Sequence, residues 1–246
     1  MKEWIFLSPH FDDVVLSAGG LVWELTKRGD SVEVWTICAG DQPFDKPLSD
    51  YAQMLHIFWE LGKQDVPYFR SKEDAACCRV LRAGFRRYIV PDCIYRYHPV
   101  SGDPIIRVPD DIKLPLEPDE AYLIPSVTDF LRKNLPEECE LVIPLTIGNH
   151  RDHVLTRRAA ERLGRPLWHY VDYPYIVQGQ YDLAEWIPSQ AEEFSLLISV
   201  QGLKAWQDGF ACHHSQIVFF WADEADMRLG IEAYLKSGGG KSLYKF

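Results

Sequence analysis

The sequence WIFLSPHFDDVVLSAGG, residues 4–20, decides the fold that we predict for this chain. Its apolar start, residues 4–7, predicts a buried strand, and the apolar and small residues after Asp13 predict a helix. His10, Asp12 and Asp13 lie in the turn between these two elements. In open α/β folds, turns of this kind at the carboxyl edge of a parallel sheet form the binding sites. One imidazole and two carboxylates at such a turn therefore indicate half of a metal site.

Length and composition restrict the classes of protein to consider. The 246 residues, 47% of them hydrophobic, suffice for one large core, and we expect one domain. The net charge is −10 and no basic run occurs, which argues against nucleic acid or an anionic membrane and favours a small-molecule partner. The start, MKEWIFLSPH, lacks the apolar stretch of a signal peptide, and no window approaches the roughly 20 apolar residues of a membrane span. We therefore predict a cytoplasmic protein with six free cysteines.

Hydrophobic patterns along the chain alternate between strands and helices. A helix over residues 14–28 and a strand over residues 31–39 complete a right-handed βαβ unit, which predicts an α/β domain with a parallel sheet. Gly19 and Gly20 lie inside this helix, and we attribute them to a close approach of its backbone to a neighbouring strand. Residues 238–240 predict a loose tail. Strands are also expected at 140–145 and 167–171, and helices at 50–62, 71–84, 119–133, from His153 to about 164, 190–197, 200–211 and 223–235.

Two further stretches have more than one interpretation. Residues 85–118 contain six prolines and predict a long irregular segment, which is usually a binding loop or lid. A surface flap or an oligomer contact is the alternative. In the helix expected at 71–84, Ser71 and Asp74 resemble a capping box, so that Arg70, Glu73 and Asp74 would form a solvated first turn.

A second polar cluster follows the strand expected at residues 140–145. His150 and His153 are three residues apart at the start of the next helix, so both project from one face of it. Catalytic zinc sites use three ligands drawn from histidines and carboxylates and keep one position for water. His10, Asp13 and His153 supply this number of ligands.

We therefore predict that His10, Asp13 and His153 hold one divalent metal ion, with Zn²⁺ expected and another divalent metal as the alternative. Asp12 stays uncoordinated and is the expected general base for a metal-bound water. His150 is expected to act as an acid or to stabilise an oxyanion. Each cluster alone is more often a capped turn or an exposed histidine pair, but two clusters at one sheet edge favour metal-dependent hydrolysis.

Both clusters resemble the signatures of a known family. Residues 8–13, SPHFDD, look like the proline-histidine-x-aspartate-aspartate motif of the LmbE-like, or PIG-L, N-deacetylases, and residues 150–153, HRDH, look like their second motif. Phe11 stands where the family usually has proline and Val14 where it often has glutamate, which puts the pocket shape in doubt rather than the chemistry. Weaker similarity occurs at Arg70, Glu73, Asp74, residues 173–175, Lys204 and residues 213–216.

The resemblance implies a single-domain, Rossmann-like three-layer α/β fold over residues 1–246. It also implies zinc-dependent removal of an acetyl group from an N-acetylglucosamine-type amino sugar or a related conjugate. The metal ligands, the base Asp12 and the acid or oxyanion residue His150 are the same as above. The resemblance adds Asp152 as the carboxylate that orients a histidine, and Arg70 on the substrate side.

Substrate contacts are expected from the segment 85–118 and from the opposite rim of the cleft, where we place Tyr173, Tyr175 and His213. Two other classes of protein stay open: a sugar- or nucleotide-binding α/β protein without catalysis, and a metal-dependent hydrolase of esters or phosphates. No Gly-rich phosphate loop follows either strand, which argues against nucleotide binding. The oligomeric state is also open, a homo-oligomer included.

Overall fold

The computed structural model describes residues 1–62 and 65–246, and in this part of the chain seven strands form one sheet. Their order across the sheet is β3-β2-β1-β4-β5-β7-β6. The first five are parallel, whereas β7 runs antiparallel to both of its neighbours. The strands are β1 (Glu3–Ser8), β2 (Ser31–Thr36), β3 (Gly84–Arg87), β4 (Glu140–Pro144), β5 (Trp168–Tyr170), β6 (Glu192–Ser195) and β7 (Ser242–Lys245).

Helices cover both faces of this sheet, which confirms the predicted three-layer α/β fold. The helices are α1 (Asp13–Lys27), α2 (Asp50–Phe58), α3 (Val66–Leu81), α4 (Leu123–Asn134), α5 (Arg151–Glu161), α6 (Tyr175–Gln178), α7 (Val200–Ala211), α8 (His214–Phe220) and α9 (Glu224–Lys236). Helices α1, α3, α7 and α9 pack together on one face, and α4 and α5 pack together on the other. Within residues 1–62 and 65–246, no helix has both the length and the apolar character needed to cross a bilayer.

Strand β1 lies in the middle of the sheet and is buried on both faces. Trp4 and Phe6 belong to the core under α1 and α7, whereas Ile5 and Leu7 belong to the core under α4 and α5. The strand order reverses between β1 and β4, which pair in parallel. Loops that leave two such strands diverge to opposite faces and open a crevice between them. The turns after β1 and β4, which carry the two predicted clusters, are therefore neighbours.

Helix α3 corrects one prediction, because it begins at Val66 rather than at Ser71. Its N-cap is Asp65, whose carboxylate accepts a hydrogen bond from the backbone of the first turn. The expected capping box therefore lies inside the helix. Arg70 and Asp74 are 6% and 1% exposed, so the expected solvated first turn is wrong for both of them.

Two further corrections concern the carboxyl-terminal part. The helix expected at 190–197 is instead the site of β6, and residues 238–240 lead into β7 rather than into a loose tail. Phe194 packs against the core and Leu243 is fully buried. Pairing between distant strands therefore overrides the local pattern. The proline-rich segment also differs from expectation at its start, since its first residues belong to β3.

Gly19 and Gly20 permit a close contact between two helices, not between a helix and a strand as we expected. A Cβ atom on Gly19 would lie 2.5 Å from Cδ1 of Trp206 on α7, and one on Gly20 would lie 2.9 Å from Cε3 of the same ring. Helix α1 also bends here, at Ala18. The missing side chains let the fully buried indole of Trp206 fill the space beside α1.

We predict that Gly19→Ala lowers the free energy of unfolding by about 1–3 kcal/mol, the usual cost of overpacking a core. Urea unfolding followed by circular dichroism measures this loss. The double variant Gly19→Ala with Trp206→Leu should lose less free energy of unfolding than the two single variants lose in sum, because the smaller leucine removes the clash. An unchanged urea midpoint for Gly19→Ala alone would contradict the contact described.

Candidate active site

The three predicted metal ligands meet at the edge between β1 and β4. The carboxylate of Asp13 lies between two imidazoles, with Oδ2 3.1 Å from Nδ1 of His10 and Oδ1 3.2 Å from Nε2 of His153. Ligands bound tetrahedrally at roughly 2.0–2.2 Å from zinc are about 3.3–3.6 Å from one another. The two distances that link Asp13 to the histidines are therefore close to those of ligands that share one metal ion.

His153 provides a separate test of whether a metal fits. Its ring is fully buried, and its Nδ1 lies 2.7 Å from Oδ1 of Asp172. Its Nε2 faces Oδ1 of Asp13 at 3.2 Å but makes no hydrogen bond of good geometry within the described residues. Such an unsatisfied buried atom is costly, whereas a histidine held by a carboxylate on one nitrogen commonly offers the other to a metal. The chemistry of this donor set therefore fits a divalent cation.

Asp172 is a residue to which our sequence analysis assigned no role. It follows β5, the next parallel strand after β4, at the same edge of the sheet as His10 and His150. The backbone N–H of Ile147 donates to its Oδ2 at 3.0 Å and fixes the carboxylate. Polar residues directly after a parallel strand marked the first two clusters, and Asp172 occupies the same kind of position after β5.

Asp152 fixes the other histidine of the metal site. Its Oδ2 lies 3.0 Å from Nε2 of His10 and accepts from the backbone N–H of Cys93 at 2.9 Å, while Arg96 donates to its Oδ1. Burial raises the pKa of Asp152, but Arg96 and His10 outweigh burial and hold this pKa well below its usual range. The charged carboxylate thus engages Nε2 of His10 and leaves Nδ1 directed at Asp13.

Asp12, the predicted base, lines the cleft beside the metal ligands. Nη2 of Arg70 donates to its Oδ1 at 3.1 Å. Burial raises the pKa of Asp12, although the positive charge of Arg70 opposes this shift. Asp92, which we did not select from the sequence, lies 3.8 Å from both Nη1 of Arg70 and Nε2 of His10. It follows β3 in the proline-rich segment, where no motif marked it.

His150 is the N-cap of α5, and its Nδ1 accepts a hydrogen bond from the backbone N–H of Asp152 at 3.2 Å. Its other nitrogen is then the protonated one and can donate. Burial lowers the pKa of His150 well below its usual value, and the neighbouring imidazoles of His10 and His153 lower it further. The three histidines each offer a nitrogen within 4.8 Å of the others, so His150 is also close enough to be a ligand.

A cleft of about 550 Å³ opens onto these residues. Of the four predicted substrate contacts, Arg70 and Tyr175 line it, whereas Tyr173 and His213 do not. Tyr173 stacks on Tyr234 in the core at 4.2 Å, and His213 is fully buried. The polar groups of the lining are His10, Asp12, Asp13, Tyr51, Arg70, Asp92, His150, Tyr175 and Gln216.

We predict that Asp172→Asn weakens metal binding about 10- to 100-fold, the usual cost of losing a carboxylate that orients a ligand. Competition with a chromophoric chelator measures the dissociation constant of the metal. Asp129→Asn, at an exposed surface ion pair, is the matched control and should bind metal as the unmodified protein does. If the two variants bound the metal with equal affinity, Asp172 would have no role in holding the metal ligands.

Fold and site together define a hydrolase with a divalent-metal centre, and comparison with known proteins identifies its family. The model of the family described as "PIG-L: GlcNAc-PI de-N-acetylase" matches residues 5–163. The chain is 30% identical to 2'-N-acetylparomamine deacetylase of Niallia circulans over 190 residues, which cover 71% of this chain and 68% of that protein. The chain therefore belongs to the PIG-L family, as the two sequence motifs predicted, and it is an N-deacetylase.

Solved structures agree with this assignment. The zinc-inhibited form of teicoplanin deacetylase superposes with a TM-score of 0.81 at 28% identity, over 99% of this chain and 97% of that one. A deacetylase–teicoplanin complex from teicoplanin biosynthesis superposes with a TM-score of 0.79 at 26% identity, again over 99% and 97% of the two chains. The similarity thus extends beyond the family match to the carboxyl-terminal strands and helices.

Proposed function

We propose that this chain is a zinc-dependent deacetylase that removes an acetyl group from an N-acetylglucosamine-type amino sugar or a related conjugate. The observation that carries the proposal is the Asp13 carboxylate, whose oxygens lie 3.1 and 3.2 Å from nitrogens of His10 and His153. These three residues would hold the metal. When bound, Zn²⁺ supplies a Lewis acid that polarises the amide carbonyl and lowers the pKa of water.

Asp12 is the general base in this proposal. Its carboxylate lines the same cleft as the metal ligands, and Arg70 fixes one of its oxygens. Because burial raises its pKa, the carboxylate is a stronger base than an exposed aspartate. It accepts a proton from the attacking water and returns a proton to the nitrogen as the C–N bond breaks. The products are acetate and the free amine.

His150 stabilises the developing oxyanion in this proposal. Its Nδ1 is occupied by the backbone N–H of Asp152, so its Nε2–H is the donor available in the cleft. A fixed donor of this kind acts where charge develops during the reaction. Because a nitrogen of His150 lies within 4.8 Å of nitrogens of His10 and His153, His150 could instead be a metal ligand, and this alternative can be tested.

The amino-sugar substrate is supported by the relatives. One of them deacetylates 2'-N-acetylparomamine by its name, and another is a teicoplanin deacetylase. The polar residues of the cleft lining, which include carboxylates, Arg70 and Gln216, offer the donors and acceptors that sugar hydroxyls require. A binding protein without catalysis has no need for a base beside three convergent metal ligands, and it is disfavoured for that reason.

We predict that Asp12→Asn lowers the rate of deacetylation about 10²- to 10⁴-fold while the metal content stays the same. Acetate release from N-acetylglucosaminyl compounds gives the rate, and elemental analysis gives the metal content. Asp129→Asn again provides the control for losing one carboxylate. Unchanged turnover in the Asp12 variant would assign the base to another residue.

Metal analysis of two histidine variants separates the roles of His150 and His153. We predict that His153→Ala loses the metal, whereas His150→Ala keeps it and shows a smaller rate loss than Asp12→Asn, because only an oxyanion contact is removed. Loss of the metal from His150→Ala would instead make His150 a ligand.

A further inference from the structure

The cleft has two chemically different parts. One part is polar, and its carboxylates, Asp12, Asp13 and Asp92, have side chains that are only 7%, 8% and 13% exposed. Among the described residues that line the cleft, no other carboxylate occurs. The other part, which we call the apolar mouth, consists of Leu55, Trp59, Ile94, Ile112, Phe219 and Phe220, the first four of which belong to one hydrophobic cluster.

Three separate elements contribute to the apolar mouth: α2 and its C-cap, the proline-rich segment, and α8. At its outer edge Phe219 is 44% exposed, and its ring meets that of Phe58, which is 48% exposed, at 5.8 Å. Single exposed aromatic residues are common, but an apolar surface that continues into a polar cleft is typical of a ligand-binding site. The mouth is therefore suited to an apolar part of a substrate.

Trp59 connects the apolar mouth to the reaction site. Its ring lies 5.0 Å from the guanidinium of Arg70, the partner of Asp12. Trp59 is 6% exposed and lines the cleft. A flat aromatic ring at this position suits the apolar face of a sugar that lies beside Arg70.

We propose that the amino-sugar substrate carries an apolar alkyl or aryl group that occupies the apolar mouth, and that a polycationic aminoglycoside is disfavoured. Ammonium groups of an aminoglycoside that lie against the apolar mouth would find no carboxylate there, because the three carboxylates of the lining already face Arg70 or His10. Unpaired charge is costly to desolvate. The apolar group is attached either at the anomeric oxygen or as the acyl chain of the amide. The proposal relies on the proposed function only for the position of the amide, since binding at the mouth does not require hydrolysis.

Binding to the metal-loaded Asp12→Asn protein tests this inference without turnover. Isothermal titration calorimetry would compare hexyl with methyl N-acetyl-β-glucosaminide, and N-hexanoyl- with N-acetylglucosamine. A fully buried methylene strengthens binding about fourfold, so the five extra methylenes of the hexyl glycoside, or the four of the hexanoyl amide, should give roughly 10- to 100-fold when partly buried, in one of the two series. The series that shows the gain identifies the point of attachment.

Phe219→Ala should reduce this gain, whereas Val218→Ala, on the same helix but outside the cleft lining, should preserve it. Equal dissociation constants for short and long ligands in both series would overturn the inference, as would tighter binding of 2'-N-acetylparomamine than of the hexyl compounds. Deacetylation of the methyl glycoside by the unmodified protein reports the proposed function separately. If the longer ligands bound more tightly but the methyl glycoside were not deacetylated, the role of the apolar mouth would be supported and the proposed N-acetylglucosamine-type substrate would be contradicted.

Discussion

The carboxylate of Asp152 is the constraint on which the rest of the site depends. It is fully buried, and it contacts three residues from two parts of the chain: His10 in the turn after β1, and Cys93 and Arg96 in the proline-rich segment. A buried carboxylate with its partners removed would be strongly destabilising, so these contacts are mutually required. Because Asp152 lies in the first turn of α5, two residues after His150, this one group sets the distance between the two sequence motifs.

The same charge network explains why the proline-rich segment is a fixed wall of the cleft in this structure. Arg96 lies 3.2 Å from Glu120, which also accepts from Arg151 at 2.7 Å, and Arg151 donates to the backbone carbonyl of Asp111. All four charged side chains, counting Asp152, are almost completely buried. Two arginines and two carboxylates balance in charge, which is the condition under which such groups are tolerated in a core. These contacts tie the irregular backbone to α5, and the segment places Asp92 and Ile94 in the cleft.

Sequence patterns were sufficient where local and tertiary preferences agree. The central strand, the parallel order and both polar clusters followed from apolar runs that end in histidine and aspartate. Asp172 was missed because its partner, His153, is distant in the chain and only the sheet brings them together. Tyr173 and His213 were given substrate contacts because aromatic rings suit the apolar faces of a sugar, but no pattern in the sequence reports that neither residue lines the cleft. The prediction of β6 and β7 failed for a related reason, because each strand is short and forms through its pairing with a distant strand rather than through a pattern of its own residues.

The arrangement of these last two strands has a consequence for how the protein opens. Within the described residues β6 pairs with β7 alone, and β7 joins it to β5 from a position about 50 residues further along the chain. Separation of β7 from β5 therefore detaches both strands in a single event. Amide hydrogens of β6 and β7 should share one free energy of opening, as one cooperative unit, while those of β1 and β4 exchange only through global unfolding. The boundary between β5 and β7 thus divides the sheet into the five parallel strands that carry the catalytic residues and a two-stranded unit that can open separately.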